Sequence, residues 1–319
     1  MTNTPTPGSR LLTPDRAAVT VGFIGLGNIG RPMAWRLLAA GFELVVHNRS
    51  QAVVAEFAAA GAEPASSPRA VAERAELVLT ALPFPATVDQ VYFGSDGLCQ
   101  HARPGQILVD HSTVGPTTSR RIAEAVRARG AEFLDAPVSG GPEAAADGSL
   151  AIMVGGDRSA FERARSVLEL LGSAVRLCGP SGAGSAMKLV NQVLITVHSA
   201  VTAEALTFAE RAGVDQRLAL ELIQAGLAAS AIFARNGHRI VEGSFEPGAR
   251  IDLMVKDAGL IRQLCDELDL RLPVFFQARA SFERALNRGL GHQDLAGVVN
   301  VLRAESPGTQ SLPAAPSST

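Results

Sequence analysis

Six consecutive residues constrain the fold of this 319-residue chain more than any others: Gly25-Leu26-Gly27-Asn28-Ile29-Gly30. They follow a short run of β-formers (19–24) and open an apolar-periodic segment (29–40) that stops at Gly41. A second β-run (43–48) comes next. A G-x-G-x-x-G alone says little, but between a strand and a helix of one β-α-β unit it has a physical meaning. The first glycine permits a tight turn, the second lets a pyrophosphate approach bare backbone, and the third lets the helix pack closely on the strand. The helix N-terminus then faces the phosphates. The spacing predicts an α/β fold with an N-terminal Rossmann dinucleotide-binding domain, in which Gly25, Leu26, Gly27, Asn28, Ile29 and Gly30 hold the cofactor.

The end of the second β-run selects between cofactors. An acidic residue there would bond the ribose 2′-hydroxyl of NAD, but this chain reads His47-Asn48-Arg49-Ser50. The forked cation of Arg49 suits a 2′-phosphate, which an acid would repel. Asn48, Arg49 and Ser50 are therefore cofactor candidates, with NADP(H) preferred and NAD(H) still usable. Further β-runs at 76–82, 106–112, 133–138, 150–155 and 174–178 continue the alternation, with helical segments at 116–129 and 159–171. In open parallel sheets, ligands bind at the carboxyl ends of strands. At one such end, Leu82-Pro83 begins a loop stiffened by proline. At another, His111-Ser112-Thr113 offers two hydroxyls, Thr113 being the cofactor candidate. At a third, Ser139-Gly140-Gly141 leaves backbone N–H groups uncovered by any Cβ, a nest suited to a carboxylate. A glycine hairpin leading into the next strand is the plainer alternative for that last segment.

Residues 181–213 read as one helix of about thirty residues, well beyond the usual three to four turns. Ser181 is placed as its N-cap and Gly213 at the C′ position. Most of its faces are apolar, as in a helix buried inside a protein. At about 100° per residue, Lys188, Asn191, Gln192, His198, Ser199 and Thr202 fall on a single stripe. It holds no carboxylate to neutralise the lysine, and a buried, unpartnered lysine is costly. The stripe therefore reads as the wall of a polar cleft, the alternative being a lysine that snorkels to solvent. Beyond Gly213, helical segments at 216–225, 231–241, 251–268, 273–288 and 294–302 have short Gly- or Pro-containing links and no strand pattern. They predict an all-α C-terminal domain. Phe233, Phe245, Phe275 and Phe276 are core candidates, and the small residues of 225–231 suit close helix packing. The expected organisation is a loose tail (1–17), the dinucleotide domain (18–180), the helical domain introduced by the long interdomain helix (181–303), and a second loose tail (304–319).

Composition excludes several classes. The chain is 47% hydrophobic and 19% charged, an ordinary globular balance. A net charge of −2 leaves no footprint for nucleic acid or an anionic membrane. No apolar run approaches the length of a membrane span, and the polar N-terminus has no signal-peptide core. Cys99, Cys178 and Cys265 are far apart and odd in number, which predicts reduced thiols and a cytoplasmic location. The histidines lack metal-ligand spacing, so no metal is expected. An apolar helical domain beside a long helix predicts a homodimer or homotetramer.

Four segments stand in a specific order: GFIGLGNIGRPMA, DAPVSGGPEAAADGSLAIMVGG, GAGSAMKLVNQ and LMVKDAGL. Over about residues 19–303 the chain resembles the β-hydroxyacid dehydrogenase family, which includes 3-hydroxyisobutyrate dehydrogenase, tartronate semialdehyde reductase and L-threonate dehydrogenase. The resemblance implies reversible NAD(P)-dependent oxidation of a small 3-hydroxy acid to an aldehyde or ketone. It implies Lys188 as the catalytic lysine and Asn191 as an amide beside the substrate. Ser139, Gly140 and Gly141 correspond to the substrate-carboxylate loop, and Thr113 and Lys256 to cofactor contacts, although a Lys-Asp pair on a helix is usually solvated. Gln192, a substrate-side candidate, stands where many members carry a second asparagine and looks like the tartronate semialdehyde reductase form. Imine reductases share the architecture but usually lack the lysine. 6-Phosphogluconate dehydrogenase has a larger helical domain, and a non-catalytic cofactor-binding module would have replaced Lys188.

Overall fold

The computed structural model describes residues 19–305. The expected tails lie outside the described residues, except that residues 304 and 305 close the last helix. The chain divides into two compact units, with the division between Leu189 and Val190.

The first unit alternates strands and helices in this order: β1 (Thr20–Ile24), α1 (Gly30–Ala39), β2 (Glu43–His47), α2 (Gln51–Ala59), β3 (Glu63–Pro64), α3 (Pro68–Ala72), β4 (Leu77–Thr80), α4 (Pro85–Phe93), α5 (Leu98–His101), β5 (Ile107–Asp110), α6 (Pro116–Arg127), β6 (Glu132–Asp135), β7 (Val138–Ser139), α7 (Gly141–Asp147), β8 (Ala151–Gly156), α8 (Arg158–Leu171) and β9 (Ala174–Gly179). One sheet joins all nine strands in the order β3-β2-β1-β4-β5-β6-β8-β7, with β9 on β8. β1 to β6 are parallel; β8 runs antiparallel to β6 and β7. The order reverses between β1 and β4, the switch point at which such sheets bind ligands. Helices cover both faces, so the central strands are apolar throughout. Along β5, Ile107 and Val109 enter the core beside α1 and α8, while Leu108 enters the opposite core, as the two-residue pleat requires.

A single helix, α9 (Ala183–Arg211), leads from this unit into the next. Its start differs from expectation, because Ser181 lies in a turn outside the helix. The first N–H groups point instead to a carboxylate on the sheet: Gly182 N and Ser185 N donate to Asp135 Oδ1 and Oδ2 at 2.7 and 2.8 Å. A charged acceptor at a helix N-terminus also meets the positive end of the dipole, which a serine hydroxyl does not exploit. Gly184 lets α9 lie against the sheet, since a Cβ there would stand 2.3 Å from Met153 O and 2.4 Å from Asp135 O.

The second unit is helical: the rest of α9, α10 (Gln216–Gln224), α11 (Ala231–Glu242), α12 (Ile251–Glu267), α13 (Pro273–Asn287), a 3-10 turn (Leu295–Val298) and α14 (Val299–Glu305). Leu206, Ile240, Met254, Phe282 and Val299 belong to its core. Phe233 and Phe275 are buried; Phe245 and Phe276 are half-buried. Residues 225–231 do not pack helices together. They form an exposed link in which Leu227 is fully solvated.

Two expectations about α9 are corrected. Its apolar residues are not all interior: Val190, Leu194, Val201 and Phe208, spaced to share one face, are exposed. The helix is also long and apolar enough, by length and composition alone, to cross a membrane, although nearly half of its apolar stretch is buried inside the protein. All three cysteines are free thiols, and among the described residues no cluster of His, Cys, Asp or Glu could hold a metal ion.

Candidate active site

The register of the parallel strands aligns four carboxyl ends. Ile24 pairs with Thr80, Thr80 with Asp110, and Asp110 with Asp135. Four segments therefore leave one edge side by side: the glycine loop after Ile24, Leu82-Pro83 after Thr80, His111-Ser112-Thr113 after Asp110, and the Ser139 segment after Asp135.

The glycine loop has the form its spacing predicts. Gly25 has φ +96°, and a Cβ there would meet Ala81 O at 2.3 Å. A Cβ on Gly30 would meet Gly25 O at 1.9 Å, so α1 can approach β1 only without one. Gly27 differs, with nothing within 4 Å of its Cβ position. The space above its backbone is open, the cradle a pyrophosphate needs. Leu26 is buried, Asn28 exposed and Ile29 half-buried. Asn48 braces this loop, accepting from Leu26 N at 3.1 Å through Oδ1 and donating to Ser50 O at 3.3 Å through Nδ2. Ser50 precedes α2, and Arg49 beside it projects into solvent.

A buried polar network ties the next two ends together. Asp110 Oδ1 accepts from Thr80 Oγ1 (2.7 Å), Ser112 N (3.0 Å) and Ser112 Oγ (2.5 Å); Leu82 N in turn donates to Ser112 Oγ at 2.9 Å. Pro83 is exposed and Thr113 half-buried. His111, buried, has Nδ1 at 2.7 Å from Ala136 O. The carbonyl can only accept, so the proton lies on Nδ1 and Nε2 is a bare acceptor, without a hydrogen-bond partner among the described residues. Burial pushes this imidazole down to about 4, against the pull of the Ala136 carbonyl. The unfolded state thus takes up the proton first, and stability is lost as pH falls from about 6.5 toward 4. His111→Asn should remove about 3 kcal/mol of that loss, read by chemical denaturation at pH 7 and pH 4.5.

The third segment is not a simple hairpin. Ser139 ends β7, Gly140 and Gly141 take φ +140° and +80°, and α7 begins at once. A Cβ on Gly140 would strike Ala144 Cβ at 2.5 Å. Both glycines are thus held where other residues are strained, and Ser139 is half-buried. Asp135, which anchors α9, is pushed up to about 6 by burial, opposed by the N–H groups of Gly182 and Ser185, which favour the anion. Lys188 follows Ser185 by three residues on α9 and is only 7% exposed.

In the helical unit the remaining candidates form a second group. Asn191 Nδ2 donates to Gln192 Oε1 at 3.1 Å, Gln192 Nε2 donates to Asp257 Oδ2 at 2.5 Å, and Lys256 Nζ lies 2.8 Å from Asp257 Oδ1. Both polar atoms of Gln192 are therefore engaged within the protein. Asp257 is buried and Lys256 largely so, unlike the usual solvated Lys-Asp pair. His198 is half-buried; Ser199 and Thr202 are buried. The importance of Asp135 and Asp257 escapes a reading of sequence, since Gly182, Ser185 and Gln192 reach them from far along the chain.

Comparison with known proteins gives the family and the fold. The family described as the NAD binding domain of 6-phosphogluconate dehydrogenase matches residues 20–179. The family described as the NAD-binding domain of NADP-dependent 3-hydroxyisobutyrate dehydrogenase matches residues 182–302. Mitochondrial 3-hydroxyisobutyrate dehydrogenase of Mus musculus is 34% identical over 296 residues, 90% of this chain and 88% of that one. The 2-hydroxy-3-oxopropionate reductase of Escherichia coli (strain K12) is 36% identical over 282 residues, 88% of this chain and 96% of that one. The crystal structure of 3-hydroxyisobutyrate dehydrogenase from Salmonella typhimurium superposes with a TM-score of 0.82 at 32% identity, covering 89% of this chain and 99% of that one. The chain belongs to the β-hydroxyacid dehydrogenase family. It is an NAD(P)-dependent oxidoreductase acting on the CH–OH group of a hydroxy acid.

Proposed function

We propose that this protein interconverts a small 3-hydroxy acid and its semialdehyde, of the tartronate semialdehyde, 3-hydroxyisobutyrate or threonate type, with NADP(H) as the preferred cofactor. The observation that carries the reading is the shared strand edge. From it depart an open glycine cradle, a hydroxyl-bearing turn and a glycine loop bare of Cβ, and to it is pinned the first turn of the helix bearing Lys188. The nicotinamide, when bound, carries the hydride. Lys188 takes the hydroxyl proton in oxidation and returns it to the carbonyl oxygen in reduction. Peptide N–H groups of Ser139, Gly140 and Gly141 hold the substrate carboxylate. Asn191 orients the substrate oxygen, while Gln192 and Asp257 fix Asn191 and the cofactor-contacting Lys256. Gly25 to Gly30, Asn48, Arg49, Ser50, Leu82, Pro83 and Thr113 complete the nucleotide site. An NADPH-oxidation assay across the three semialdehyde or keto-acid classes, with cyclic imines as the contrast, tests the reading. Reduction of imines alone would overturn it.

Arg49 carries the cofactor preference. Arg49→Asp should weaken NADPH relative to NADH roughly 10- to 100-fold, the range of one charge-assisted pair; unchanged discrimination would remove Arg49 from that role.

The exposed apolar face of α9 supports a homodimer or homotetramer. Phe208 alone is 76% exposed, and contiguous apolar surface of this kind marks interaction sites. Light scattering at micromolar concentration should show an oligomer, and Leu194→Glu with Phe208→Glu should give monomers. A monomeric parent protein would end this reading.

A further inference from the structure

We propose that Asp135 is a positioning residue for the reaction: its carboxylate sets the origin and rotation of α9, and through them the place of Lys188. This rests on the reading of Lys188 as the acid/base group. Helices are ordinarily capped by a neighbouring side chain, and Ser181 stands close by. The chain instead recruits a carboxylate 47 and 50 residues away in sequence, from the end of β6. Each oxygen holds a different N–H, Gly182 on Oδ1 and Ser185 on Oδ2. Two bonds from one planar group fix the helix in rotation as well as in position.

The surroundings leave that group no other place. Asp135 is 1% exposed. A Cβ on Gly155 of β8 would stand 2.6 Å from Asp135 Oδ1, and one on Gly184 would stand 2.8 Å from Gly155 N. Ser185 Oγ, which also serves the Asp135 carboxylate, lies 2.8 Å from Ser119 Oγ of α6. Lys188 comes three residues after Ser185, less than one turn on, so little error accumulates between anchor and amine. A solvent-exposed cap would secure the helix at lower desolvation cost. What the buried carboxylate adds is a fixed relation between the helix and the strand edge that bears the glycine cradle. Misplacement of a reacting group by about 1 Å costs up to 100-fold in rate.

The test is Asp135→Asn in the full chain, which preserves shape but faces one N–H with an amide instead of an acceptor. The readouts are kcat and KM with NADPH and the best semialdehyde of the panel, NADPH affinity by titration, and amide hydrogen exchange over residues 182–189. The expected result is a 10- to 100-fold lower kcat, NADPH affinity within about twofold, and faster exchange confined to that stretch. Ser185→Ala keeps both backbone donors and is expected to lose about threefold or less. Faster exchange with unchanged kcat would overturn the positioning role, as would kcat and NADPH affinity lost together, or Ser185→Ala matching Asp135→Asn. If Asp135→Asn does not fold, exchange in the parent protein decides: Gly182 and Ser185 amides should be as protected as those of β5, and loop-like exchange would overturn the anchor. Normal turnover in Lys188→Ala would instead refute the acid/base reading on its own, leaving the exchange result to judge the anchor.

Discussion

Lys188→Ala is expected to bind NADPH as the parent protein does and to turn over 10²- to 10⁴-fold more slowly, the range for loss of a positioned acid/base group. That is about 3–5 kcal/mol of transition-state stabilisation. The glycine loop and its brace on Asn48 belong to β1, α1 and β2, which the substitution leaves untouched, so cofactor affinity should hold. The fold should hold as well. Alanine is the strongest helix former. A thermal melt unchanged or slightly raised, beside collapsed kcat, would assign the loss to chemistry. Lys188→Arg sharpens the point, since a guanidinium stays protonated and cannot accept the hydroxyl proton. It should lose turnover in both directions alike, because a group that cannot take the proton in oxidation cannot return it in reduction. Near-normal turnover in Lys188→Ala would move the proton to another group.

Gly184→Ala is expected to destabilise the protein by about 3 kcal/mol or more, the cost of overpacking against atoms that cannot yield. Helix propensity alone predicts the opposite, a gain of about 1 kcal/mol. Geometry decides: the new methyl would meet Met153 O at 2.3 Å and Asp135 O at 2.4 Å, both backbone atoms of the sheet. The control is Gly259→Ala on α12, where nothing lies within 4 Å of the Cβ position. It should show the propensity gain, up to about 1 kcal/mol. Equal melting temperatures for the two variants would remove the steric account of Gly184.

Much of the dinucleotide half is legible in the sequence because its information is local. Gly25, Gly27 and Gly30 each occupy the environment that their spacing demands, and the strands carrying the core differ from their predicted bounds by a few residues at most. The short helices α2 to α5 and α7 escape such a reading, since segments of four to nine residues carry too few periods to separate from loops. The Ser139-Gly140-Gly141 segment reads as a hairpin or nest because glycine signals a positive φ without revealing that a helix starts there. At the start of α9, Ser181 is a reasonable local cap, and only the fold brings Asp135 to displace it. The Lys256-Asp257 pair likewise reads as solvated, because its third member, Gln192, arrives from another helix. The exposed apolar face of α9 reads as interior, because periodicity tells that faces differ but not which one meets water.

The family boundary between residues 179 and 182 and the physical one between Leu189 and Val190 do not coincide, and the difference bears on any attempt to divide the chain. A fragment ending at residue 180 would strip Asp135 of both its donors and leave a carboxylate stranded in the interior. Extending the fragment through Leu189 restores them. A cut that keeps this anchor therefore falls about two turns inside what sequence families count as the neighbouring domain.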